Sequence, residues 1–452
     1  MTVPRSSSRC SWKLLRICSS PVVIVIAGSS CSGVAMGRWW PRKVNDRWMV
    51  GVRPPEFGPC SPGFHLLVRV SPGGFRTLPT VRTTSHSEKH EEARQHMHRR
   101  TRVARLFTVT AVAAGLVVTA GIAPAAAGSK GKELPATTIN GSGATFPQGM
   151  IDACREAFAE VQPNVTVNYP NPGGGSGKGR QEFADQVTAW GASDAPYPST
   201  DLPKVKGGAF LYVPYVTAPI TVSYNLEGVS KRLKFTPATL AKIFQGDITT
   251  WNDAAIAADN PGVKLPATKV TIARRSDSSG TTQNFTGYLV KAAGSVWKLG
   301  TGSTITWPEG SQGGNGNPGV SAIVGQTNGA IGYVDFSDAK ATGLDYGAVQ
   351  NAAGKYIVPS LPAATAALDG VALASDGLYD PLNSPAAAAY PITAPTWLLV
   401  YQKYSNADTA NAVKAWAEYL IGGCQKLAKS VDYAPIPKEW AKQTKTRLEA
   451  IS

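Results

Sequence analysis

Downstream of about residue 137, apolar residues recur along the chain with two different periods. In "PQGMIDACREAFAEV", the residues Ile151, Cys154, Phe158 and Val161 recur at helical spacing, which predicts an amphipathic helix. The next apolar run, "VTVNY", is short and β-branched, as is typical of a strand. Strands and helices are therefore expected in turn.

The same alternation continues further along the chain. "APITVSYN" and "KVTIARR" predict strands, whereas "QEFADQVTAW" and "PATLAKIFQG" predict helices, the second ending at a glycine. This order predicts an α/β fold with a mainly parallel sheet and helices on both faces. Because this region is longer than a single α/β domain usually is, we expect it to form two lobes.

The first 127 residues, called the front end below, differ from the rest of the chain in periodicity and composition. Residues 1–96 show no sustained periodicity, and we interpret them as an upstream mistranslated or disordered extension. Residues 97–127 combine a basic start at Met97, an apolar stretch and an A-x-A-like site ending at Ala127, which is typical of a secretory signal peptide. We therefore expect translation to begin at Met97 and cleavage to occur near Ala127. The alternative is a genuine extension with a membrane-spanning helix at about 107–123.

The formal charge of +15 would ordinarily suggest a nucleic-acid partner. Residues 1–127 carry 18 Lys and Arg against 5 Asp and Glu, whereas residues 128–452 carry 27 against 25. The basicity therefore belongs to the front end, and we expect no nucleic-acid binding. All five histidines also lie in the front end. The body has none for a catalytic triad, a general base or a zinc site, so we expect no metal and no cofactor.

Three turns rich in glycine and hydroxyl groups lie just before predicted helices. They contain Thr145 and Phe146 ahead of Pro147, Ser176 in "GGGSGKGR", and Ser279, Gly280 and Thr281 in "RRSDSSGTT". Unsatisfied N–H groups and the helix dipole at such N-termini favour a bound anion. Serine and threonine are also ordinary N-caps, which is the alternative for any one turn. Three such turns in one chain indicate an oxyanion site.

Charged residues near these turns refine the prediction. Arg275 presents a guanidinium fork that fits two oxygens of a tetrahedral anion, and Asp277 could hold that fork in place. A solvated surface ion pair is the alternative. Asp194 would repel an anion unless the anion carries a proton, as phosphate does and sulfate does not. A site that requires this hydrogen bond can discriminate by about 10⁴–10⁵-fold. Taken alone, Asp194 would be a helix cap or a turn residue.

Six motifs in consistent order resemble those of the phosphate-binding protein of the bacterial high-affinity phosphate ABC transporter. They are "GSGATFPQGMIDACREAFAE", "GGGSGKGRQEFADQVTAWGASDAP", "FQGDITTWNDAAIAADNPGVKLP", "ARRSDSSGTTQNFTGYL", "TITWPEGSQGGNGNPGVSAIVGQTNGAIGYVDF" and "YPITAPTWLLVYQK". The resemblance covers about residues 137–445. It implies a two-lobed periplasmic-binding-protein fold of type II, whose lobes are mainly parallel sheets flanked by helices and joined by two crossover strands. The first lobe would comprise 137–217 and 395–452, and the second 221–390.

The resemblance also implies a set of phosphate contacts. Carried over by motif, these are Thr145, Phe146, Ser176, Asp194, Arg275, Ser279, Gly280 and Thr281. Phe146 and Gly280 would contribute backbone N–H groups, and Asp277 would steady Arg275. The implied partners are inorganic phosphate and the permease and ATPase of a phosphate ABC transporter. A monomer without catalytic activity is expected, secreted to the periplasm or the cell wall.

The glycine-rich turn departs from the family pattern. Counting back eighteen residues from Asp194 reaches Ser176, which keeps the family spacing. An alternative alignment puts Gly174 at that place and loses one ligand hydroxyl. Lys178 and Arg180 add positive charge near the mouth of the expected site.

A second glycine-rich stretch, Gly314–Gly319, formally fits the G-x-G-x-x-G dinucleotide fingerprint. No strand is predicted before it, so the setting of a nucleotide site is missing. We interpret it as the glycine-rich loop that the family has at a similar place.

Cys154 and Cys424 are the only cysteines beyond residue 127. An exported protein with two cysteines most simply forms one disulfide. Both would lie in the first lobe if the C-terminal segment returns to it, so we expect the bond. Two buried thiols are the alternative.

Other functions remain open from the residues alone. A secreted phosphatase could use Ser279 or Asp194 as its nucleophile, but the body lacks histidines and a carboxylate cluster suited to two metals. A membrane-anchored phosphate-sensing module would keep an apolar helix at about 107–123. A receptor for another tetrahedral oxyanion is opposed by Asp194.

Overall fold

The computed structural model describes residues 133–172 and 174–452, together with the backbone of four short strands within residues 1–96. Those strands are Leu14–Arg16, Val23–Val25, Trp40–Val44 and Arg47–Gly51, in two antiparallel pairs. The predicted signal peptide and the alternative span at about 107–123 lie outside the described residues. Among the described residues, no helix is long and apolar enough to cross a bilayer. The fold below is that of the second of two units, Ala120–Ser452.

Strands and helices alternate through this unit. The strands are β1 (Thr137–Gly143), β2 (Val165–Asn168), β3 (Trp190–Ser193), β4 (Phe210–Tyr224), β5 (Lys234–Phe235), β6 (Thr271–Arg275), β7 (Gln312–Gly314), β8 (Ala330–Asp335), β9 (Asp345–Tyr346), β10 (Ala348–Gln350), β11 (Tyr356–Ile357), β12 (Thr393–Tyr401) and β13 (Ala434–Pro435). The α-helices are α1 (Gln148–Val161), α2 (Ser176–Ala184), α3 (Pro237–Phe244), α4 (Ala254–Asp259), α5 (Gly280–Ala293), α6 (Gly316–Gln326), α7 (Phe336–Ala341), α8 (Leu361–Ala366), α9 (Ala407–Ile421) and α10 (Lys438–Leu448). Short 3₁₀ helices cover Leu202–Lys204 and Gly423–Val431.

A mixed sheet of ten strands runs through the unit in the order β7-β6-β8-β4-β12-β3-β1-β2, and β9 and β13 also pair with β4. β1 is parallel to β2 and β3, and β6 is parallel to β7 and β8. Every antiparallel pair in this sheet involves β4 or β12. The predicted α/β class is therefore confirmed, with a parallel set of strands at each end of the sheet.

β4 belongs to both ends of this sheet. Its residues 210–219 pair with β12, and its residues 220–224 pair with β8. Fourteen of its 15 residues are buried. One continuous strand therefore joins two half-sheets, the first containing β12, β3, β1 and β2, and the second containing β8, β6 and β7. The change of partner lies between Pro219 and Ile220, in the gap between the predicted lobe segments 137–217 and 221–390, while the exact lobe boundaries stay predictions.

The helix predicted over residues 181–190 is misplaced. Instead, α2 begins at Ser176 and ends at Ala184, Gln186 has a left-handed φ of 58°, and Trp190 begins β3. Trp190 is fully buried in the first half-sheet. Its burial is a tertiary effect, which outweighs the helical periodicity of the local sequence.

A disulfide joins Cys154 of α1 to Cys424 near the C-terminus, with 5.6 Å between the two Cα atoms. Both residues are fully buried. Nearby, Phe158 packs edge-on against Trp416 of α9, with ring centroids 5.4 Å apart. The C-terminal segment therefore returns to pack on the helix that follows β1.

Candidate functional site

Four helices begin at one place between the two half-sheets. α1 and α2 belong to the first half-sheet, and α5 and α6 follow β6 and β7 of the second. The backbone N–H groups of Phe146, Gly280 and Thr281 donate to no protein acceptor within the described ranges 133–172 and 174–452. Amides of this kind at helix N-termini attract anions.

Ser176, Asp194 and Gly280 are in direct contact at this place. Ser176 Oγ donates to Asp194 Oδ2 over 3.1 Å and accepts from the Asp194 backbone N–H, also over 3.1 Å. A β-carbon on Gly280 would lie 2.4 Å from Ser176 Oγ and 2.7 Å from Asp194 Cβ. Only glycine fits there, so the first residue of α5 lies directly against the carboxyl group.

Asp194 is almost completely buried, with 1% of its surface exposed. Thr396 donates to its Oδ1 over 2.7 Å. Burial raises the pKa of Asp194 from 3.8 to about 7, although the hydrogen bonds from Thr396 and Ser176 and the charge of Arg275 oppose this change. The carboxyl group therefore titrates near neutral pH and can share a proton with a ligand that carries one.

Asp277 holds the Arg275 guanidinium at two points. Arg275 Nε donates to Oδ1 over 2.7 Å and Nη2 donates to Oδ2, while Nη1 donates to Thr281 Oγ1 over 3.3 Å. The Gly316 N–H also donates to Asp277 Oδ1, over 3.1 Å. Burial raises the pKa of Asp277, but the contacts from Arg275 and Gly316 outweigh it and hold this pKa below its ordinary value. Arg275 is therefore a fixed cation beside the start of α5.

Asn317, in the first turn of α6, joins Thr145 to Thr281. Its backbone N–H and its Nδ2 donate to Thr145 Oγ1 over 3.1 and 3.2 Å, and Nδ2 also donates to Thr281 Oγ1 over 3.3 Å. Both threonine hydroxyls thus accept two hydrogen bonds, and neither donates to a protein acceptor in the described part of the chain. Each keeps its own proton for a further acceptor.

Ser279 and Phe146 are also part of this cluster. Ser279 Oγ accepts from the Thr282 N–H over 3.1 Å as the N-cap of α5, so the capping role considered for this turn is present. A capping hydroxyl still has a proton to donate. Phe146 is fully buried, and its carbonyl accepts from the Tyr433 hydroxyl over 2.6 Å.

Ser176, rather than Gly174, lies against Asp194. Gly174 has a left-handed φ of 94° and forms an isolated parallel bridge with Gly143. A β-carbon on Gly175, the next residue, would lie 2.2 Å from Asp277 Oδ2. Gly174 and Gly175 therefore let the backbone that precedes α2 approach the Arg275–Asp277 pair. This arrangement supports the alignment on Ser176.

Sequence reasoning missed Asn317 and Thr396. The prediction that no strand precedes Gly314–Gly319 is wrong, because Gln312–Gly314 forms β7 and α6 begins at Gly316. The closely spaced glycines of this stretch could have indicated a helix N-terminus that another segment approaches closely, and Asn317 lies in its first turn. No local signal marks Thr396, which reaches Asp194 from β12, more than two hundred residues later in the chain.

Comparison with known proteins agrees with this architecture. Residues 125–423 match the PBP superfamily domain. The phosphate-binding protein PstS of Xylella fastidiosa is 36% identical over 310 residues, covering 68% of this chain and 83% of that protein. The phosphate-binding protein PstS 3 of Mycobacterium leprae is 34% identical over 328 residues, covering 70% of this chain and 87% of that protein.

Solved structures show the same fold. A phosphate-binding protein from Stenotrophomonas maltophilia is 20% identical, with a TM-score of 0.54, over 69% of this chain and 93% of that one. A high-affinity periplasmic phosphate-binding protein, PfluDING, solved with bound phosphate, is 21% identical, with a TM-score of 0.55 and the same coverage of both chains. The two-lobed fold expected from the motifs is therefore confirmed. By the extent and identity of these matches, the chain belongs to the PstS family of phosphate-binding proteins within the PBP superfamily.

Proposed function

We propose that the protein binds inorganic phosphate in the cleft between its lobes and delivers it to a phosphate ABC transporter, without catalysing a reaction. The observation that carries this proposal is a surplus of unused donors around one protonatable carboxyl group. Thr145 and Thr281 hydroxyl protons and three helix-terminal amides lack protein acceptors within the described ranges. They surround a buried acid, Asp194, whose pKa is raised to about 7. A protonated tetrahedral oxyanion complements both features.

In this proposal the hydroxyls of Thr145, Ser176, Ser279 and Thr281, the N–H groups of Phe146 and Gly280, and the guanidinium of Arg275 donate to phosphate oxygens. Asp194 accepts the hydrogen bond from the P–OH group. Sulfate has no such proton, so it would place an unpaired charge against the carboxylate form of Asp194, which predominates above its pKa of about 7. Asp277 keeps Arg275 aimed at the ligand and does not itself touch it.

The proposed binding motion brings together a first lobe of residues 137–217 and 395–452 and a second lobe of 221–390. Contacts between the two groups of residues at the site are consistent with a cleft that closes. The Gly177 N–H donates to the Ser278 carbonyl over 2.9 Å, and the Asn317 side chain reaches Thr145. Bending near Thr217–Ile220 and Pro391–Pro395 would open these contacts.

The proposed partners are the permease and the ATPase of a phosphate ABC transporter, with the protein acting as a monomer. The proposed location is outside the cytoplasmic membrane, in the periplasm or cell wall, after cleavage near Ala127. The family membership of the chain supports both proposals, because relatives that it matches over 83% and 87% of their length carry the name phosphate-binding protein PstS.

A secreted phosphatase is the weaker candidate. Ser279 Oγ bonds only to the Thr282 N–H among the described residues, so no general base activates it. Asp194, the other candidate nucleophile, is buried with its two oxygens bonded to Thr396 and Ser176. These contacts suit an acceptor better than a nucleophile.

Isothermal titration calorimetry of the purified protein with phosphate and with sulfate tests the proposal. We expect tight binding of one phosphate and no measurable heat from sulfate. Equal binding of the two ions contradicts the role of Asp194. Turnover of a phosphomonoester without tight binding of phosphate would instead favour the enzyme.

A further inference from the structure

Arg180 is a buried cation that the phosphate contacts do not account for. It lies on α2, four residues after Ser176, and is only 7% exposed. No carboxylate pairs with its guanidinium among the described residues, in contrast to Arg275, which has Asp277. A buried charge without a partner is costly, so its three hydrogen bonds need an explanation.

Two of these bonds hold the turn that carries Asp194. Arg180 Nη1 donates to Ser193 Oγ over 3.1 Å and to the Ala195 carbonyl over 3.2 Å. These acceptors are the residues immediately before and after Asp194. The guanidinium therefore fixes both sides of the carboxyl group without touching it.

The third bond reaches the other half of the molecule. Arg180 Nη2 donates to Ser303 Oγ over 3.0 Å. Ser303 Oγ in turn donates to Gln283 Oε1 over 2.8 Å, and the Ser303 carbonyl accepts from the Ser279 N–H over 2.9 Å. Ser303 thus belongs to the group of residues that positions the start of α5.

We propose that Arg180 is a positioning residue that latches the closed cleft, holding the Asp194 turn of the first lobe against Ser303 of the second and so slowing the release of bound phosphate. This inference rests on the proposed function. When the lobes separate, the Ser303 contact breaks, while the bonds to Ser193 and Ala195 stay within one lobe. The guanidinium also adds positive charge beside an anion site, and its charge opposes the rise in the pKa of Asp194. Arginine suits this role because its planar fork serves several acceptors at once.

Ser303→Ala tests the latch, because it removes the contact that crosses the cleft. It also removes the bond from Ser303 to Gln283 within the second lobe, so the control must lose a comparable bond in that lobe. The matched control is Thr301→Ala, since Thr301 Oγ1 bonds to Thr286 and Gln283 within the second lobe. The readouts are the exchange rate of radiolabelled phosphate against excess unlabelled phosphate, the association rate, and the melting temperature of the ligand-free protein. Losing one hydrogen bond to a charged group predicts about tenfold faster release for Ser303→Ala. The association rate and the ligand-free melting temperature should stay unchanged, and Thr301→Ala should release phosphate at the wild-type rate.

Arg180→Met and Arg180→Lys complete the test. Both should release phosphate faster than wild type, and adding Ser303→Ala to either should have no further effect. Wild-type release from Ser303→Ala, or additive effects of Arg180→Met and Ser303→Ala, would overturn the latch while leaving the proposed function intact. Absence of phosphate binding by the wild-type protein would overturn the proposed function, and the latch with it. If Arg180→Met does not fold, the comparison of Ser303→Ala with Thr301→Ala still decides the question.

Discussion

Thr396 donates a 2.7 Å hydrogen bond to Asp194 although 202 residues separate them in the chain. Thr396 lies on β12, which pairs with β4 and β3 in the first half-sheet. The second carboxylate oxygen of Asp194 bonds to Ser176. The proposed selectivity group is therefore fixed from β12 and from the start of α2.

Asp194→Asn should weaken phosphate binding by at least about tenfold and let sulfate bind measurably. The amide has the shape of the carboxyl group but cannot accept a proton in the same way, and it no longer repels a fully ionised ligand. Calorimetry with both ions measures the change. Asp369→Asn, at an exposed position, is the control and should bind as wild type does. Unchanged discrimination in Asp194→Asn would contradict the proposed role.

The stability of the ligand-free wild type relative to Asp194→Asn should fall as the pH rises from about 4 to about 7. In this range the folded state keeps the Asp194 proton, because its pKa is about 7, whereas the unfolded chain has released it. Stability therefore falls with rising pH through this window and levels off above it. The contribution is at most about 4 kcal/mol.

Urea unfolding at several pH values between 4 and 8 measures this difference. Asp335 and Asp338 also have raised pKa values, chiefly from burial, and act in the same direction in both proteins. The difference between wild type and Asp194→Asn therefore isolates Asp194. Identical pH slopes would rule out a raised pKa at this residue.

Arg275→Lys should weaken phosphate binding by about 10- to 100-fold, because a single ammonium cannot keep both the Asp277 pairing and a fork towards the ligand. Arg274→Lys is the matched control. The neighbouring Arg274 donates to Ser311 Oγ and to the backbone carbonyl of Arg275, and its side chain bonds to no side chain of the proposed phosphate site. If the two variants bind phosphate equally, Arg275 is not a ligand.

Gly280→Ala should abolish tight phosphate binding without lowering the melting temperature of the ligand-free protein. Its β-carbon would collide with Ser176 and Asp194 only when the two halves of the site meet. Alanine is a better helix former than glycine, so the substitution does not destabilise α5 itself. Gly287→Ala, in the same helix, meets its nearest neighbour at 3.5 Å and should bind normally. Tight binding by Gly280→Ala would show that these groups do not close on the ligand.

Replacing both Cys154 and Cys424 by alanine should lower the free energy of unfolding by about 2–4 kcal/mol. The bond closes a long loop and ties α1 to the C-terminal segment, but it contributes no group to the phosphate cluster. Phosphate affinity at a temperature where the variant is folded should therefore be unchanged. Denaturant unfolding and calorimetry of the same preparation test both expectations.

Short-range patterns predicted several of the strands, the helices α1 and α3 and the hydroxyl-rich turns, because these depend on local periodicity and helix capping. The spacing between Ser176 and Asp194 also follows a local motif. The end of α2 was misplaced because the burial of Trp190, which begins β3, depends on the sheet around it. Asn317 and Thr396 were missed for the same reason, since each acts on a residue more than a hundred positions away.

The placement of β12 also determines when the protein can fold. The first half-sheet needs this strand between β4 and β3, yet β12 begins only at Thr393, after the whole second half has been made. During synthesis, the second half-sheet can form first. Until β12 has been made, β3 and β4 keep unpaired edges in the first half-sheet. Folding of the whole unit therefore depends on the synthesis of its last 60 residues. A chain that ends before Thr393 would leave β3 paired only with β1 and would leave β4 without its partner in the first half-sheet.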